Sequence, residues 1–164
     1  MSRSPIGLIP IDRACAALIA RDAAEFDSLH GVDSDGVREQ LASVIGMTPA
    51  DMLAAGDWGT FFAYETETRR IVGSCGFKAR PNPHGTVEIA YFTFAPFEGR
   101  GFATAMASDL VVRALSSIEA ADVIAHTLPQ DNASTRVLIK CAFQHVGEVL
   151  DTEDGPVWRW RYGP

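Results

Sequence analysis

The sequence predicts a mixed α/β fold, with a mostly antiparallel sheet flanked by helices. Three observations support it: helical periodicity in the first third of the chain, aromatic and β-branched runs from Thr60 onward, and a long amphipathic helix between strands. A sheet covered by helices accommodates this order better than a bundle or a sandwich. We expect one domain over residues 1–164, with a helical segment at 1–58 and a strand-rich core at 59–164.

The first third carries three helix signals. Asp12 is a typical N-cap for a helix over residues 12–20. Val37, Leu41 and Ile45 repeat at i, i+4 and i+8, which predicts one helical stripe. The Thr-Pro-Ala-Asp sequence at 48–51 places a capping hydroxyl before proline and predicts a third helix.

The strands begin at residue 60. Two runs, 60–67 and 71–79, predict a hairpin, and Thr86 to Phe94 predicts the next strand. With a period of two, Val87 and Ile89 share one face of that strand, and Glu88 lies on the other, among Ala90, Phe92 and Phe94. Glu88 is therefore the polar exception on a face predicted to be apolar.

The second half alternates helices and strands. After the sequence FEGRG at 97–101, two adjacent apolar rows predict a helix that packs on the sheet: Phe102, Met106, Leu110, Ala114 and Ala103, Ala107, Val111, Leu115. We then expect a strand over 122–127, a helix near 133–142 and strands near 144–150 and 156–161.

The composition argues against nucleic-acid partners, membrane insertion and export. Fourteen Lys and Arg against 21 Asp and Glu give a net charge of -7, which argues against nucleic-acid or membrane binding. No window approaches the ~18 apolar residues of a membrane helix. Asp12 and Arg13 interrupt the apolar N-terminal run, so we expect no export signal and a soluble, cytoplasmic protein.

The cysteines and histidines do not predict a metal site. The three cysteines, Cys15, Cys75 and Cys141, are far apart and set among apolar residues, so we expect buried free thiols. The four histidines lack the spacing of zinc ligands, and we expect no metal.

The FEGRG loop has two interpretations. Gly99 and Gly101 allow positive φ and close ligand approach, and Arg100 adds a cation at a helix N-terminus, as a phosphate cradle requires. A tight strand-to-helix turn explains the same residues equally well. Neither common nucleotide fingerprint fits, since the loop lacks the P-loop lysine and has Thr104 where GxGxxG requires glycine.

The wider pattern resembles the GCN5-related N-acetyltransferase (GNAT) family. Its diphosphate motif is Gln or Arg, two residues, Gly, one residue, then Gly or Ala, and Glu98, Gly101 and Ala103 occupy these positions. IVGSCGF, GTVEIAYFTFAPFEGRGFATAMA and AHTLPQDNASTRVLIKCAF are similar to successive family segments, in order. EDGPVWRW resembles the tail of the ribosomal-protein-alanine and -serine acetyltransferase branch.

The resemblance implies a splayed strand pair that holds acyl-coenzyme A, with acetyl-coenzyme A as co-substrate. It implies that residues 1–58 form the substrate side and 59–164 the cofactor-binding core. The cofactor-binding residues it implies are the strand residues Phe92, Thr93 and Phe94, the loop and helix residues Gly99, Arg100, Gly101, Phe102, Ala103 and Thr104, and Asn132 and Ser134 across the cleft.

Two positions depart from the family pattern. Glu98 replaces Gln or Arg, and we expect this acid to turn outward with Arg100 compensating its charge. In the last helix, many relatives carry a tyrosine that protonates the leaving thiolate, and here that position falls near Leu138.

Glu88 is the candidate catalytic residue. A carboxyl group on an apolar strand is suited to act as a general base through water, and the resemblance supports this role. It is equally compatible with a carboxylate at the sheet rim, paired with an arginine, or with a group that binds the substrate amine. Tyr64, Tyr91 and His126 are candidate proton donors, although each is more typical of a packed strand residue.

The predicted function is N-acetyl transfer from acetyl-coenzyme A to a primary amine of a small molecule or a protein N-terminus, directly in a ternary complex. The alternative is a non-catalytic acyl-coenzyme A binding or regulatory module, favoured by Glu98 and the absent tyrosine. Trp158 and Trp160 alternate on the last strand, where they either pair across a homodimer or, as we favour, cover their own sheet.

Overall fold

The computed structural model describes residues 4–163, a seven-stranded mixed sheet with helices on both faces. The strands are β1 (Ile6–Pro10), β2 (Thr60–Glu65), β3 (Ile71–Phe77), β4 (Thr86–Thr93), β5 (Asp122–Thr127), β6 (Phe143–Asp151) and β7 (Gly155–Tyr162). The α-helices are α1 (Arg13–Arg21), α2 (Ala23–His30), α3 (Arg38–Met47), α4 (Phe102–Leu115) and α5 (Ala133–Lys140). The strand order β1-β2-β3-β4-β5-β7-β6 confirms the predicted fold class.

The first third is not purely helical, so the prediction that helices precede the sheet is wrong at its start. Residues Ile6–Pro10 form an edge strand antiparallel to β2, with Ile6 opposite Glu65. Ile6 and Ile9 are buried beneath the helices. Five residues are too short a run to show a strand period, which is why this strand was not predicted.

The capping signals in this segment have different outcomes. Asp12 caps α1 through Cys15, as predicted, and α2 follows with Asp22 as its cap. The stripe of Val37, Leu41 and Ile45 belongs to α3. The third predicted helix is wrong: residues 48–59 contain only two 3₁₀ turns, Met52–Ala54 and Gly56–Trp58. Gly56 has φ of 59° and Gly59 follows, so the α-helix cannot continue.

Helix α4 covers the centre of the sheet. Its buried residues are Phe102, Met106, Ala107, Leu110, Val111 and Ala114, within the two predicted rows. It packs against β3, β4 and β5, and every residue of β3 is buried. Each large side chain buried here contributes about 1.5–3 kcal/mol, so α4 is held chiefly by this apolar face.

Strands β4 and β5 part after a short parallel pairing. The paired residues are Thr86 with Asp122, Val87 with Val123 and Glu88 with Ile124, and no pair beyond these joins the two strands. All other neighbouring strands of the described sheet are antiparallel. The result is a V-shaped opening in the middle of the sheet, with Glu88 at its apex.

The last two strands close the second half of the sheet. β7 lies between β5 and β6, and Trp160 is buried with its Nε1–H donating to Thr127 Oγ1 at 3.0 Å. Trp158 is half-buried against the core. Both tryptophans therefore cover their own sheet, as favoured from the sequence. Ala142, between α5 and β6, has φ of 64°, a left-handed conformation that costs a non-glycine residue about 1–2 kcal/mol.

Candidate active site

A cleft of about 720 Å³ follows the opening on the helix side of the sheet. It lies between β4, the FEGRG loop, the start of α4 and α5. Its lining residues are Tyr91, Phe92, Thr93, Phe97, Glu98, Gly99, Gly101, Phe102, Ala103, Thr104, Ala133, Ser134, Arg136, Val137 and Lys140. Eight of the eleven residues implied for cofactor binding are among them.

The mouth of the cleft is the N-terminus of α4. Gly101, its N-cap, has φ of 85°, and Gly99 has φ of 74°, so both adopt the left-handed conformation that glycine favours. Asp12, Asp22 and Asn132 cap α1, α2 and α5 with side-chain oxygens, whereas α3 and α4 have no side-chain cap, and of these two only α4 opens into the cleft. The first-turn amides of α4 are therefore left for an anion, and the helix dipole adds to the attraction.

Three of the implied residues do not line the cleft. Phe94 is buried, with its N–H donating to Val72 O and its carbonyl accepting from Phe97 N. Arg100 extends to β2, where its Nη2 lies 2.9 Å from Glu65 Oε1. Asn132 uses its side-chain oxygen to cap α5 through Thr135 N.

The backbone groups that face the opening belong to odd-numbered residues of β4. Phe94 N donates to Val72 O, and Glu88 O accepts from Lys78 N, so these even-numbered residues pair with β3. Because alternate residues of a strand direct their peptide groups to opposite sides, those of Tyr91 and Thr93 face β5. Thr93 was implied from the sequence, whereas Tyr91 was not.

Glu88 lies on the other face of the sheet from this cleft, and this face, predicted to be apolar, is exposed along much of β4. Val87 and Ile89 are buried beneath the helices, whereas Ala90 and Phe92 are exposed, Phe92 to 61%. The Glu88 side chain is 22% exposed. It is a half-buried carboxylate on the face that is exposed at Ala90 and Phe92, which we call the open side of the sheet. Over β2 the same face is covered by α2, where Phe26 packs against Phe62.

Glu88 is held between two neighbours. Its Oε1 lies 2.8 Å from His126 Nδ1 and 3.5 Å from Lys78 Nζ. The other ring nitrogen, Nε2 of His126, accepts a hydrogen bond of 3.0 Å from Nε of Arg159. Since an arginine cannot accept, this contact requires a lone pair on Nε2, so the neutral imidazole carries its proton on Nδ1 and donates to Glu88.

The remaining candidate donors occupy different surroundings. Tyr91 donates its hydroxyl to Ser134 O at 3.3 Å across the cleft, and burial raises the pKa of its phenol. Tyr64 packs beneath Arg69, whose guanidinium lies 4.3 Å from the ring centroid. Leu138, at the position where a tyrosine was sought, is fully buried. Tyr91 is therefore the tyrosine that lines the cleft.

This geometry agrees with the comparisons to known proteins. The family described as Acetyltransferase (GNAT) domain matches residues 16–144. The chain belongs to the GNAT family. The predicted family is thereby confirmed.

The individual proteins that this chain resembles have low sequence identity to it. The uncharacterized N-acetyltransferase p20 of Bacillus licheniformis is 27% identical over 103 residues, 63% of this chain and 58% of that protein. The chain thus matches less than two thirds of that relative's length. The ribosomal-protein-S5-alanine acetyltransferase of Vibrio fischeri has a TM-score of 0.66 at 13% identity, covering 98% of this chain and 94% of that one. The microcin C7 self-immunity acetyltransferase MccE, solved with acetyl-CoA and AMP, has a TM-score of 0.67 at 17% identity, covering 97% and 92%. These structures share the fold.

The GNAT cleft contains an orphaned polar atom that fits an acyl-coenzyme A. Thr93 Oγ1 is buried and has no hydrogen-bond partner among residues 4–163. A buried hydroxyl without a partner is costly, and a polar ligand in the cleft would satisfy it. Together with the uncapped α4 amides, this atom makes the cleft suited to a ligand with both a diphosphate and an amide-bearing arm.

Two basic residues of the GNAT cleft were not predicted. Arg136 and Lys140 lie on α5 and line the cleft together with Ala133 and Val137. Their positions, 133, 136, 137 and 140, follow the i, i+3, i+4, i+7 spacing of one helix face. That spacing was the signal in the sequence that identifies them.

Glu98 is exposed and contributes to the lining of the cleft, and its outward orientation stays a prediction. Arg100 pairs with Glu65 rather than with Glu98. The acid therefore remains near the uncapped amides without the compensating arginine that we expected.

The cysteines are the buried free thiols that the sequence predicted. Burial, with a smaller contribution from Asp12, raises the pKa of Cys15 to about 12, and burial also raises the pKa of Cys75. Within residues 4–163, no three His, Cys, Asp or Glu side chains are grouped to hold a metal ion. In the same range, no helix is long and apolar enough to cross a membrane.

Proposed function

We propose that this GNAT domain transfers the acetyl group of acetyl-coenzyme A to a primary amine of a small molecule or a protein N-terminus, in one ternary complex. The observation that carries the proposal is the position of Glu88. It is the last residue of β4 that pairs with β5, so it lies where the cleft on the helix side meets the open side of the sheet. A base at this apex has access to an acceptor that reaches the opening from the other face.

The cleft supports the proposed cofactor site. The amides of Gly99, Gly101, Phe102, Ala103 and Thr104 would bind the diphosphate, and backbone groups of Tyr91 and Thr93 would pair with the pantetheine arm as an added strand does. Arg136 and Lys140 would add positive charge, and Ser134 would contact the arm from α5. Among the other residues proposed for the cofactor site, Phe92 would form an apolar wall and Arg100 would contribute only its backbone amide. Asn132 would act only indirectly, as the N-cap of α5.

The chain's own groups suit amine acetylation. Acetyl-coenzyme A supplies an activated acetyl group as a thioester. Glu88 is the proposed base, and it would take the amine proton through a water molecule as the amine nitrogen bonds to the acetyl carbon and the carbon–sulfur bond breaks. With Leu138 at the position of the family tyrosine, solvent would protonate the leaving thiolate. His126 is a positioning residue, since its Nδ1–H fixes the Glu88 carboxylate at 2.8 Å.

We propose direct transfer rather than a covalent acyl-enzyme. Cys141, the thiol next to α5, is buried, and its Sγ lies 3.4 Å from Ser108 Oγ of α4. Among residues 4–163, its hydrogen-bond partners are Ser108 Oγ and Thr104 O, neither of which is a base that would form a thiolate nucleophile. Residues 1–58 are proposed to form the acceptor side and residues 59–164 the cofactor side, although residues 1–3 and 164 lie outside the described range.

The experiment is thiol release from acetyl-coenzyme A with a broad panel of amines, with products identified by mass spectrometry. The expected result is release that depends on the amine and yields an N-acetylated product. Tight coenzyme A binding without acetylation would favour the non-catalytic binding module. The observation that supports this alternative is that buried Leu138 occupies the position where many relatives carry the tyrosine acid. Preference for ATP over coenzyme A would contradict both functions.

A further inference from the structure

Beside the proposed base, four side chains form a continuous row on the open side of the sheet. Lys78 Nζ lies 3.5 Å from Glu88 Oε1, which lies 2.8 Å from His126 Nδ1, and His126 Nε2 lies 3.0 Å from Arg159 Nε. The strand register places His126 directly opposite Arg159 on β7, so both side chains share the face that carries Glu88. We call these four residues the Glu88 row.

The charges in the Glu88 row do not cancel. It contains one carboxylate, a neutral imidazole and two cations. Lys78 is paired with Glu88, whereas Arg159 donates to an uncharged ring. Among residues 4–163, no carboxylate lies within 4.0 Å of the Arg159 guanidinium. Arg161, two residues along on the same face, is by contrast matched by Asp122 at 2.7 Å.

Arg159 also retains hydrogen-bonding capacity. Its Nε is used by His126, and its two terminal nitrogens have no acceptor among the described residues. The residue is half-buried rather than fully solvated. A half-buried guanidinium with two vacant donors fits a carboxylate or phosphate, which accepts both hydrogen bonds and supplies the missing negative charge.

We propose that Arg159 binds an anionic group on the acceptor, so that the substrate is a small amine that also carries a carboxylate or phosphate. This inference rests on the proposed function, because it takes the amine to lie near Glu88. The separation of the amine from the anionic group would then match the distance from Glu88 to Arg159. That distance comprises the 2.8 Å contact of Glu88 with His126, the imidazole ring, and the 3.0 Å contact of His126 with Arg159.

Other amine classes fit the row less well. A polyamine has no anionic group and would place its further positive charges beside Lys78 and Arg159, which repel them. A protein N-terminus has the amine, but brings an anion only when an acidic side chain follows it.

The test compares matched acceptor pairs whose chain is long enough to span the Glu88 row: 6-aminohexanoate with hexylamine for the carboxylate, and 4-aminobutyl phosphate with 4-amino-1-butanol for the phosphate. We expect kcat/KM for one anionic acceptor to exceed that of its neutral partner by about tenfold or more. Arg159→Gln should abolish this preference, and Arg159→Lys should retain part of it. Arg161→Gln is the matched control, since Arg161 is already paired, and it should keep the preference.

Binding without acetyl-coenzyme A separates failure of this inference from failure of the proposed function. Tryptophan fluorescence or NMR titration should show that the preferred anionic member binds the full-length protein and that Arg159→Gln loses this binding. If that holds while no amine is acetylated, the proposed function fails and the anion site stands. Equal binding and equal rates for both members of each pair would overturn the anion site. So would a preference for peptides over every small acceptor.

Discussion

The guanidinium of Arg100 lies 2.9 Å from Glu65 Oε1 at the end of β2, and its carbon centre lies 4.9 Å from the Phe102 ring. This ion pair ties the FEGRG loop to the second strand and draws the arginine charge away from the cleft. Glu98, which lies before the uncapped helix α4, is an exposed residue of the cleft lining.

Replacing Glu98 should strengthen cofactor binding modestly. An exposed charge pair contributes about 0.2–1 kcal/mol, so Glu98→Gln should lower the Kd for coenzyme A by about two- to fivefold, and added salt should reduce the gain. Calorimetric titration measures this, with the exposed Glu153→Gln on the β6–β7 turn as a control. A gain well beyond tenfold would show that the acid contacts the diphosphate. An unchanged Kd would show that it does not interact with it.

The basic face of α5 should contribute to the same affinity. Arg136→Gln and Lys140→Gln should each weaken coenzyme A binding by about two- to fivefold, with a reduced dependence of Kd on salt, because each removes one exposed cation. Arg21→Gln on α1, exposed and paired with Glu25, is the control. If neither α5 variant changes the Kd, these residues do not contact the cofactor.

The Glu88 carboxylate should affect turnover and not cofactor affinity. Glu88→Gln should lower kcat by roughly 10²-fold or more with the Kd for coenzyme A unchanged. His126→Asn, which keeps an N–H donor for Glu88, should lose less activity than His126→Ala. Steady-state kinetics with a responsive amine measure both, with the exposed Glu148→Gln as a control. Normal turnover in Glu88→Gln would remove Glu88 from the mechanism.

Glycine should stabilise the protein at position 142, the residue with left-handed backbone conformation that follows α5. Ala142 has φ of 64°, so Ala142→Gly should raise the free energy of unfolding by about 1 kcal/mol. Gly101→Ala, at φ of 85°, should lower it by a similar amount. Urea denaturation measures these changes, and Ala17→Gly within α1 should cost about 1 kcal/mol. Destabilisation by Ala142→Gly as large as that of Ala17→Gly would contradict the strain at Ala142.

The buried Cys15 thiol should make stability fall at high pH. Its pKa is 9.0 in ordinary surroundings and about 12 in the folded protein, so the folded state keeps a proton that the unfolded state loses above pH 9. The thiol's contribution is therefore present below pH 9 and is lost as pH rises toward 12. Between pH 8 and 10.5, the unfolding free energy of wild type should fall by about 2 kcal/mol more than that of Cys15→Ala. A difference independent of pH would contradict the burial effect.

The elements predicted well are those with a local signal. The apolar rows of α4, the Asp12 cap and the glycine loop depend on residues close in sequence, and each lies as expected. Ile6–Pro10 was missed because five apolar residues have no readable period, and its partner Thr60–Glu65 lies about fifty residues away in the sequence. The predicted helix from Thr48 failed because two glycines, at 56 and 59, override a good start signal.

The functional contacts depend on pairings between distant segments. Alternation in β4 separates two faces, but the packing of α4 decides which one is buried along this strand, so the sequence did not show that Glu88 lies on the exposed one. The contact of Glu88 with His126 depends on the parallel register of β4 and β5, and that of His126 with Arg159 on the register of β7. The family resemblance identified the cofactor loop, which is a local motif, but gave no information on these pairings.

The short pairing of β4 with β5 also has a mechanical consequence. It divides the sheet into two antiparallel units, β1 to β4 and β5 to β7, joined by three residue pairs and bridged by α4. A ligand bound in the gap would contact both units and take the place of the strand pairing that is missing there. The ligand-free protein would then be more flexible between the two units than the ligand-bound protein.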